Sequence, residues 1–329
     1  MSHVLLLGGT GFVGKSILDA FAKGLLESWK IDQITVVARH AEAFPQRFPG
    51  LSNAAVKFVS ADLNDIQKVY QLPSAEYILH AAASSNANDY DVDAWGQHSS
   101  MLQSTKNLLQ WVTDKKLRSK ILYVSSGAVY GNSTKQRFSE DSFCISDVDS
   151  ITCPENSKGV YRVAKIKCEY LMLQASQRFS LPVSIARCFS FVGPWLERNQ
   201  HYAIGNFLED ALHGRDVQVK AQYPVYRSYM YAEDLVLWLM SLMHQASTDC
   251  RVYNIGSPYA VELHHLAQSI ARRFDVGVSG SLLDANETLA DFYVPCVDNA
   301  IRDFGMNLNF SLDAAIDATI RQVLSGCSV

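Results

Sequence analysis

Tyr161 and Lys165 are the residues of this sequence whose types and spacing are best suited to acid–base chemistry. They lie in a segment whose apolar residues recur with helical periodicity over 160–177, so a spacing of four places both side chains on one face of a helix. An ammonium group beside a phenol lowers the pKa of the phenol, which could then donate or accept a proton near neutral pH. A surface pair could have the same spacing, so the meaning of this one depends on its position in the chain.

A serine at a predicted strand end supports the chemical interpretation. The apolar run 121–124 is followed by Ser125, Ser126 and Gly127. Ligands of parallel α/β sheets bind outside the carboxyl ends of the strands. We therefore expect Ser126 to lie beside the tyrosine and the lysine.

Two overlapping glycine patterns near the N-terminus predict a phosphate-binding turn. Gly8, Gly11 and Gly14 form G-x-x-G-x-x-G, a dinucleotide fingerprint, and residues 9–16 also spell the P-loop pattern G-x-x-x-x-G-K-S. A P-loop enzyme needs an acidic residue at a second strand end to hold Mg²⁺, and the candidate strand ends supply none. The dinucleotide interpretation is therefore favoured, and a P-loop NTPase stays a remote alternative.

The elements that must position these residues are strands alternating with helices. Apolar runs of strand length occur at 4–7, 34–37, 56–59, 77–79, 121–124 and 183–186. Such alternation indicates parallel βαβ units. The predicted fold class is α/β: a doubly wound, parallel Rossmann sheet with a smaller C-terminal lobe that binds the substrate. We expect the Rossmann domain at 1–188, completed by 228–258, and the second lobe at 189–227 and 259–329.

Composition excludes several other classes of protein. The chain has 329 residues, of which 48% are hydrophobic and 19% charged, and its net charge of −4 gives no electrostatic basis for binding nucleic acid. Seven scattered cysteines, with no C-x-x-C pair, fit reduced thiols better than disulfides or a zinc site. The sequence shows no signal peptide and no run of the ~20 apolar residues that span a bilayer. We predict a cytoplasmic protein with no metal and no membrane partner.

Taken in order, the motifs resemble the extended short-chain dehydrogenase/reductase family, in particular its members that modify nucleotide sugars. The resemblance covers nearly the whole chain. It is carried by GGTGFVG (8–14), SADL (60–63), HAAA (80–83), SSGAVYG (125–131), YRVAK (161–165), FVGP (191–194), RSYMYAEDL (227–235) and YNIG (253–256).

The resemblance implies a role for each matching residue. Ser126, Tyr161 and Lys165 would be catalytic, with Tyr161 the general acid/base and Lys165 bound to the nicotinamide ribose. Ser190, which stands where relatives have asparagine, and Arg227 would bind the substrate, the latter gripping its diphosphate. The residues implied to contact the cofactor are Gly8, Gly11, Phe12, Val13, Gly14, Arg39, Asp62, Leu63, Ala81, Ala82, Ala83, Tyr161 and Lys165.

Departures from the family pattern narrow the reaction. Sugar 4,6-dehydratases carry an Asp-Glu pair after the catalytic serine or threonine, where this chain has Gly127 and Ala128. The 3,5-epimerase/reductases use a cysteine and a histidine at the positions of Ala128 and Trp195. Neither reaction is expected here, which leaves a 4-ketoreductase or a 4-epimerase.

The end of the second strand predicts the cofactor. NAD-preferring relatives end this strand in an aspartate that binds the ribose 2′-OH. This chain has Ala38 and Arg39, so no carboxylate repels a 2′-phosphate and a guanidinium is available to bind it. We predict NADP(H), with NAD the second choice.

These expectations combine into one function. We predict that a homodimeric enzyme reduces the C4 keto group of a nucleotide-linked 4-keto-6-deoxyhexose with NADPH, in deoxysugar or polysaccharide biosynthesis. The long polar connection 131–159, with Glu155, Asn156 and Lys158 near its end, either closes over the sugar or is an exposed insertion. The alternatives are a 4-epimerase with tightly bound NAD and, more remotely, a non-catalytic cofactor-sensing regulator.

Overall fold

The computed structural model describes residues 2–83, 87–131, 135–145, 148, 154, 156–198, 200, 202–280 and 290–326, with side chains from residue 89 onward in the second range. Its strands are β1 (Ser2–Leu7), β2 (Ile31–Ala38), β3 (Val56–Ser60), β4 (Tyr77–His80), β5 (Lys120–Ser126), β6 (Val183–Cys188), β7 (Phe191–Val192), β8 (Val217–Gln218), β9 (Val225–Arg227), β10 (Met230–Tyr231), β11 (Arg251–Ile255), β12 (Val261–Glu262), β13 (Val278–Ser279) and β14 (Asp291–Tyr293). Its helices are α1 (Phe12–Ala22), α2 (Phe44–Arg47), α3 (Ile66–Val69), α4 (Ala87–Asp114), α5 (Ser157–Phe179), α6 (Ala203–Leu212), α7 (Ala232–His244), α8 (Leu263–Phe274), α9 (Asp298–Phe304) and α10 (Leu312–Leu324).

A seven-stranded sheet forms the centre of the fold, in the order β11-β6-β5-β4-β1-β2-β3. The pairings among β1 to β6 are all parallel. Residues 4–7 of β1, at the point where the strand order reverses, have no exposed surface, as expected of a parallel strand covered on both faces. This order is that of a doubly wound Rossmann sheet, which confirms the predicted α/β class.

Helix α5 carries the predicted tyrosine and lysine, and its start is fixed by a side-chain cap. The amide oxygen of Asn156 accepts a hydrogen bond from the backbone N–H of Gly159 at 2.8 Å, which satisfies one of the free donors of the first turn. Lys158 lies in that same turn, whereas Glu155 lies outside the described residues. Helix α5 packs along α4, whose backbone departs from helical geometry at Asp93. The end of the long connection is therefore the beginning of the helix that carries the predicted catalytic tyrosine and lysine.

The chain divides into two compact units, each built from three segments. Unit 1 contains Met1–Val129, Phe143–Cys188 and Val236–Tyr253, and unit 2 contains Tyr130–Ser142, Phe189–Leu235 and Asn254–Val329. Part of the long connection, which the sequence analysis assigned to the first domain, thus belongs to unit 2. No helix in the described ranges is long and apolar enough to cross a membrane.

Candidate active site

Three predicted catalytic side chains meet where β5 ends and α5 begins. Ser126 is the last residue of β5. Its hydroxyl accepts from the backbone N–H of Ala128 at 3.1 Å and interacts with the phenol of Tyr161. The Nζ of Lys165 donates to the carbonyl oxygen of Val124 at 2.9 Å. A strand end and one helix face therefore assemble the serine, the tyrosine and the lysine.

Burial sets the protonation of this group. It raises the pKa of Tyr161 to about 12, and the influence of Ser126 offsets only part of that rise. The net shift is opposite to the lowering that the Tyr-Lys spacing predicts, because the loss of water around the phenol outweighs the other influences. Tyr161 therefore keeps its proton at neutral pH and can donate it.

The three fingerprint glycines have different surroundings. Gly8 has a φ of +83°, and a Cβ there would lie 2.6 Å from the backbone of Ala82. A Cβ on Gly14 would lie 2.2 Å from the carbonyl oxygen of Gly9. By contrast, a Cβ on Gly11, the residue before α1, would come no closer than 3.6 Å to a neighbouring atom. Close packing therefore requires glycine at positions 8 and 14. Gly11 instead leaves open the space at a helix N-terminus that a diphosphate needs.

The overlapping P-loop pattern does not form a metal and phosphate site. Lys15 is 5% exposed, and its Nζ lies 4.5 Å above the ring of Phe48. The hydroxyl of Ser16 donates to the carbonyl of Phe12 at 2.8 Å within the helix. The lysine and serine that would hold phosphate and Mg²⁺ thus belong to the packing of α1.

The remaining predicted cofactor residues follow the carboxyl ends of the sheet strands. Their backbone is held there by neighbouring strands: the N–H of Gly8 donates to Val37, and that of Ala81 to Leu7, both at 2.9 Å. Phe12 and Val13 lie in the first turn of α1, and the others follow their strands in the order Arg39 (β2), Asp62 and Leu63 (β3), and Ala81, Ala82 and Ala83 (β4).

Two of these residues have side chains that a ligand could reach. Arg39 and Asp62 are exposed, and the Oδ1 of Asp62 accepts from the backbone N–H of Asn64 at 2.9 Å. Leu63 beside it is buried. An open Gly11 together with polar groups at neighbouring strand ends fits a dinucleotide, with Gly8, Gly11 and Gly14 at its diphosphate and Asp62 near its adenine. These contacts stay predictions.

The two predicted substrate residues belong to unit 2. Ser190 precedes β7, and its carbonyl accepts from the N–H of Met230 at 3.1 Å. The guanidinium of Arg227, at the end of β9, donates to the carboxylate of Asp291 at 2.6 Å and to its carbonyl at 3.2 Å. Sequence reasoning missed Asp291, since nothing in the sequence shows that β14 lies beside β9.

A buried ion pair near the predicted catalytic residues was also missed by sequence reasoning. Glu169, on α5, has no exposed surface, and its carboxylate accepts from Arg187 Nε at 3.1 Å and from Arg187 Nη2 at 2.9 Å. Arg187 lies on β6 and is 1% exposed. The one available signal was spacing, because Glu169 follows Lys165 by the same four residues that separate Lys165 from Tyr161.

Tyr90 is a further neighbour of the Tyr161 phenol. Its ring stands edge-on to that of Tyr161, with centroids 5.3 Å apart and planes at 89°. The Tyr90 hydroxyl is buried and has no hydrogen-bond partner in the described part of the chain. Aromatic packing of this kind helps to hold the phenol ring in one orientation.

His80, at the tip of β4, is a buried neutral group. It is 1% exposed, and its Nε2 lies 3.2 Å from the hydroxyl of Thr105. Burial, assisted by the charge of Lys165, lowers its pKa to about 3. His80 is therefore uncharged at neutral pH, in keeping with a structural role.

The chain matches a known protein family. Residues 4–256 match the model of the NAD dependent epimerase/dehydratase family. Among curated proteins, the chain is similar to dTDP-D-glucose 4,6-dehydratase of Mus musculus, at 22% identity over 82% of this chain and 72% of that protein.

Two solved structures share the fold. One is UDP-glucose 4-epimerase of Thermotoga maritima with UDP-glucose, with a TM-score of 0.79 and 18% identity over 98% of this chain and 99% of that one. The other is dTDP-glucose 4,6-dehydratase of Streptomyces venezuelae with NAD, with a TM-score of 0.80 and 18% identity over 98% of this chain and 97% of that one.

Proposed function

Because the chain belongs to the NAD dependent epimerase/dehydratase family, we propose that it is an NADPH-dependent 4-ketoreductase acting on nucleotide-linked 4-keto-6-deoxy sugars. Its relatives are enzymes that modify nucleotide sugars, among them dehydratases, decarboxylases and 4-epimerases. The reductase assignment goes further than these relatives and rests on the chain's own residues.

The observation that carries the proposal is the buried phenol of Tyr161 beside Ser126, which burial keeps protonated. Reduction of a ketone needs one proton donor at the carbonyl oxygen, and a protonated tyrosine is that donor. A bound nicotinamide would supply the hydride. Tyr161 donates its proton to the developing alkoxide, Ser126 hydrogen-bonds the same oxygen, and Lys165 stabilises the tyrosinate that remains.

The residues after Ser126 support a reaction with a single proton transfer at oxygen. Gly127 and Ala128 follow it, so neither of these positions supplies a group that removes a proton from carbon. Elimination of water needs such a group. A dehydratase is therefore disfavoured although relatives with that name are similar over most of the chain.

Arg39 supports NADP(H) as the cofactor. It is exposed directly after β2, and Ala38, which ends the strand, brings no carboxylate to the ribose. A guanidinium binds phosphate through two parallel hydrogen bonds, which would favour the 2′-phosphate. The relative from Streptomyces venezuelae was solved with NAD, which makes NAD the alternative.

A 4-epimerase is the second candidate, supported by the similarity to UDP-glucose 4-epimerase. Epimerisation requires Tyr161 first to accept a proton and later to return it, so the phenol must ionise. Reduction also ionises Tyr161 when it gives up its proton, so the raised pKa of Tyr161 does not separate the two reactions. The reductase is favoured instead by Ala38 and Arg39, which suit NADP(H) better than a tightly held NAD.

The rest of the assignment extends the same proposal. Ser190 and Arg227 bind the substrate, with Arg227 at the diphosphate, and unit 2 supplies the nucleotide-binding lobe. The protein is a cytoplasmic homodimer that pairs through α4 and α5.

The test is an assay with NADPH and a panel of dTDP-, GDP-, CDP- and UDP-linked 4-keto-6-deoxyhexoses, following loss of nicotinamide absorbance. A reductase consumes NADPH stoichiometrically, whereas an epimerase interconverts 4-epimers with no added reductant. We expect Tyr161→Phe to bind NADPH like the wild type and to lose on the order of 10²–10⁴-fold in kcat. Wild-type turnover in that variant would overturn the proposed function.

A further inference from the structure

Three consecutive residues of β5 interact with three residues of α5 that are spaced four apart. Ser126 interacts with the phenol of Tyr161, and the carbonyl of Val124 accepts from Lys165. Between them, the hydroxyl of Ser125 donates to the carboxylate of Glu169. All three contacts join the end of β5 to helix α5.

The Glu169 carboxylate of this third bond is also paired with a buried cation. Arg187 binds the Glu169 carboxylate through both Nε and Nη2, and its Nη1 lies 3.4 Å from the carbonyl of Phe143. A fully buried ion pair is rarely more stabilising than apolar residues of the same volume, because both ions lose their water. Its retention beside the candidate catalytic residues therefore points to a role in specifying geometry.

The negative charge of Glu169 also acts on the pKa of Lys165. Burial lowers the pKa of Lys165, and Cys168, Cys188 and Glu169 act to raise it. Burial raises the pKa of both thiols, so neither cysteine is ionised at neutral pH. Of these three groups, only the carboxylate can favour the ammonium form of Lys165.

Apart from Arg187, which is paired with Glu169, the other titratable groups around Lys165 are neutral at that pH. Burial raises the pKa of both nearby phenols and lowers that of the imidazole. The groups are Tyr123, whose ring centroid lies 5.2 Å from Lys165 Nζ, Tyr161 at 5.8 Å, and His80.

We propose that Glu169 is a positioning residue of the active site, which holds the tip of β5 and the ammonium of Lys165 in register with Tyr161, while Arg187 fixes its carboxylate. This role rests on the proposed function, since it acts through Lys165, Ser126 and Tyr161. Glu169 itself touches neither substrate nor cofactor.

The first test is Glu169→Gln, which keeps the shape and removes the charge. We expect kcat to fall about 10- to 100-fold with KM for the nucleotide sugar changed less than about 3-fold. The alkaline limb of the kcat–pH profile moves to lower pH, because Lys165 loses its proton earlier without the carboxylate. Glu169→Asp restores the charge and should return the limb toward the wild-type position.

Removal of one ion leaves the other buried and alone, so a second variant keeps the test decisive. Glu169→Leu with Arg187→Met removes both charges and is expected to fold. Its alkaline limb should lie below that of the wild type but above that of Glu169→Gln, because the cation of Arg187 is removed together with the carboxylate. The pH dependence of NADPH binding, followed by nicotinamide fluorescence, gives the same comparison without a sugar substrate.

Asp234→Asn is the matched control. Asp234 is a carboxylate with no exposed surface in unit 2, and it accepts hydrogen bonds from the backbone N–H groups of Asn309 and Phe310. We expect this variant to lower the melting temperature and leave the alkaline limb in place. An equal shift of the alkaline limb in Asp234→Asn overturns the role of Glu169. So does a wild-type limb in both Glu169→Gln and the double variant Glu169→Leu with Arg187→Met.

The Tyr161→Phe variant separates the two proposals. An inactive Tyr161→Phe with a wild-type profile in Glu169→Gln overturns the positioning role alone. An active Tyr161→Phe overturns the proposed function, whatever the profile of Glu169→Gln.

Discussion

Each unit contains one arginine bound to a carboxylate near a predicted site, and the two pairs differ mainly in their access to water. In unit 1, Arg187 and Glu169 are 2.9 Å apart, with side chains 1% and 0% exposed. In unit 2, Arg227 and Asp291 are 2.6 Å apart, with side chains 24% and 62% exposed. The distances are alike, so geometry alone does not distinguish their roles.

Exposure decides what each pair can do. Within unit 1 no water replaces a lost partner, so the charges of Arg187 and Glu169 depend on each other. Within unit 2, solvent screens the pair, and the guanidinium can exchange the Asp291 carboxylate for another anion at low cost. A buried arginine therefore fixes a structure, while an exposed one of the same chemistry can hold a ligand.

The largest expected effect is on the free energy of unfolding. Arg187→Met leaves Glu169 buried without its partner and should cost about 3–5 kcal/mol. Asp291→Asn should change the free energy of unfolding by less than about 1 kcal/mol. Urea unfolding of both variants at pH 7 measures the two changes in the free energy of unfolding. Equal losses in the two variants would contradict the comparison.

Next is the affinity for a nucleoside diphosphate. Arg227→Ala removes charge-assisted hydrogen bonds of about 1.5–3 kcal/mol, so the Kd should rise roughly 10- to 100-fold. Arg227→Lys keeps the charge but lacks the planar guanidinium, so its affinity should lie between those of the wild type and Arg227→Ala. Calorimetric titration with UDP, GDP, CDP and dTDP measures both; unchanged affinity for all four would remove Arg227 from the substrate site.

His80 extends the contrast to a buried group that contacts Thr105 and Tyr123 and has no carboxylate partner in the described part of the chain. Its folded pKa of about 3 lies below the unfolded value of 6.5, so between these pH values the unfolded chain binds a proton that the folded one excludes. Stability is therefore lost as pH falls from 6.5 toward 3, at up to about 1.4 kcal/mol per pH unit, or about 2 kcal/mol at pH 5. Chemical denaturation of His80→Gln should show a flatter pH dependence in this window; a slope equal to that of the wild type would contradict it.

The smallest expected effect comes from Asp291→Asn on ligand binding. Without the competing carboxylate, Arg227 is released to the diphosphate, and affinity should rise about 2- to 5-fold, the equivalent of a weak surface pair. The gain should shrink in 1 M salt because both pairings are screened. Weaker binding in this variant would mean that Asp291 orients Arg227 for the ligand.

The sequence predicted the parts of this molecule that local pattern encodes. The six apolar runs became β1 to β6, because a parallel strand is apolar along its whole length. The spacing of Tyr161 and Lys165 placed them on one face of α5. The family assignment is confirmed as well. The motifs that carry it are recognised from their order along the chain, which does not require knowing how the chain packs.

What the sequence did not predict depends on burial and on register between distant segments. The upward shift of the Tyr161 pKa follows from loss of water, which no spacing reveals. The bonds from Glu169 to Ser125 and Arg187 depend on how α5 lies against β5 and β6. Strands of two or three residues, such as β9 and β14, are too short to leave a periodic signal, so the Arg227–Asp291 contact was out of reach.

The position of β11 at the edge of the central sheet has a consequence for synthesis on the ribosome. Strand β6 is complete at residue 188, but its outer neighbour begins only at residue 251. At about 5–20 residues per second, the intervening stretch of roughly sixty residues takes on the order of 3–12 s to translate. For that time β6 presents an unpaired row of N–H and C=O groups, a template for pairing with another nascent chain. Chains that stall or terminate in this interval should be the ones that aggregate or recruit chaperones.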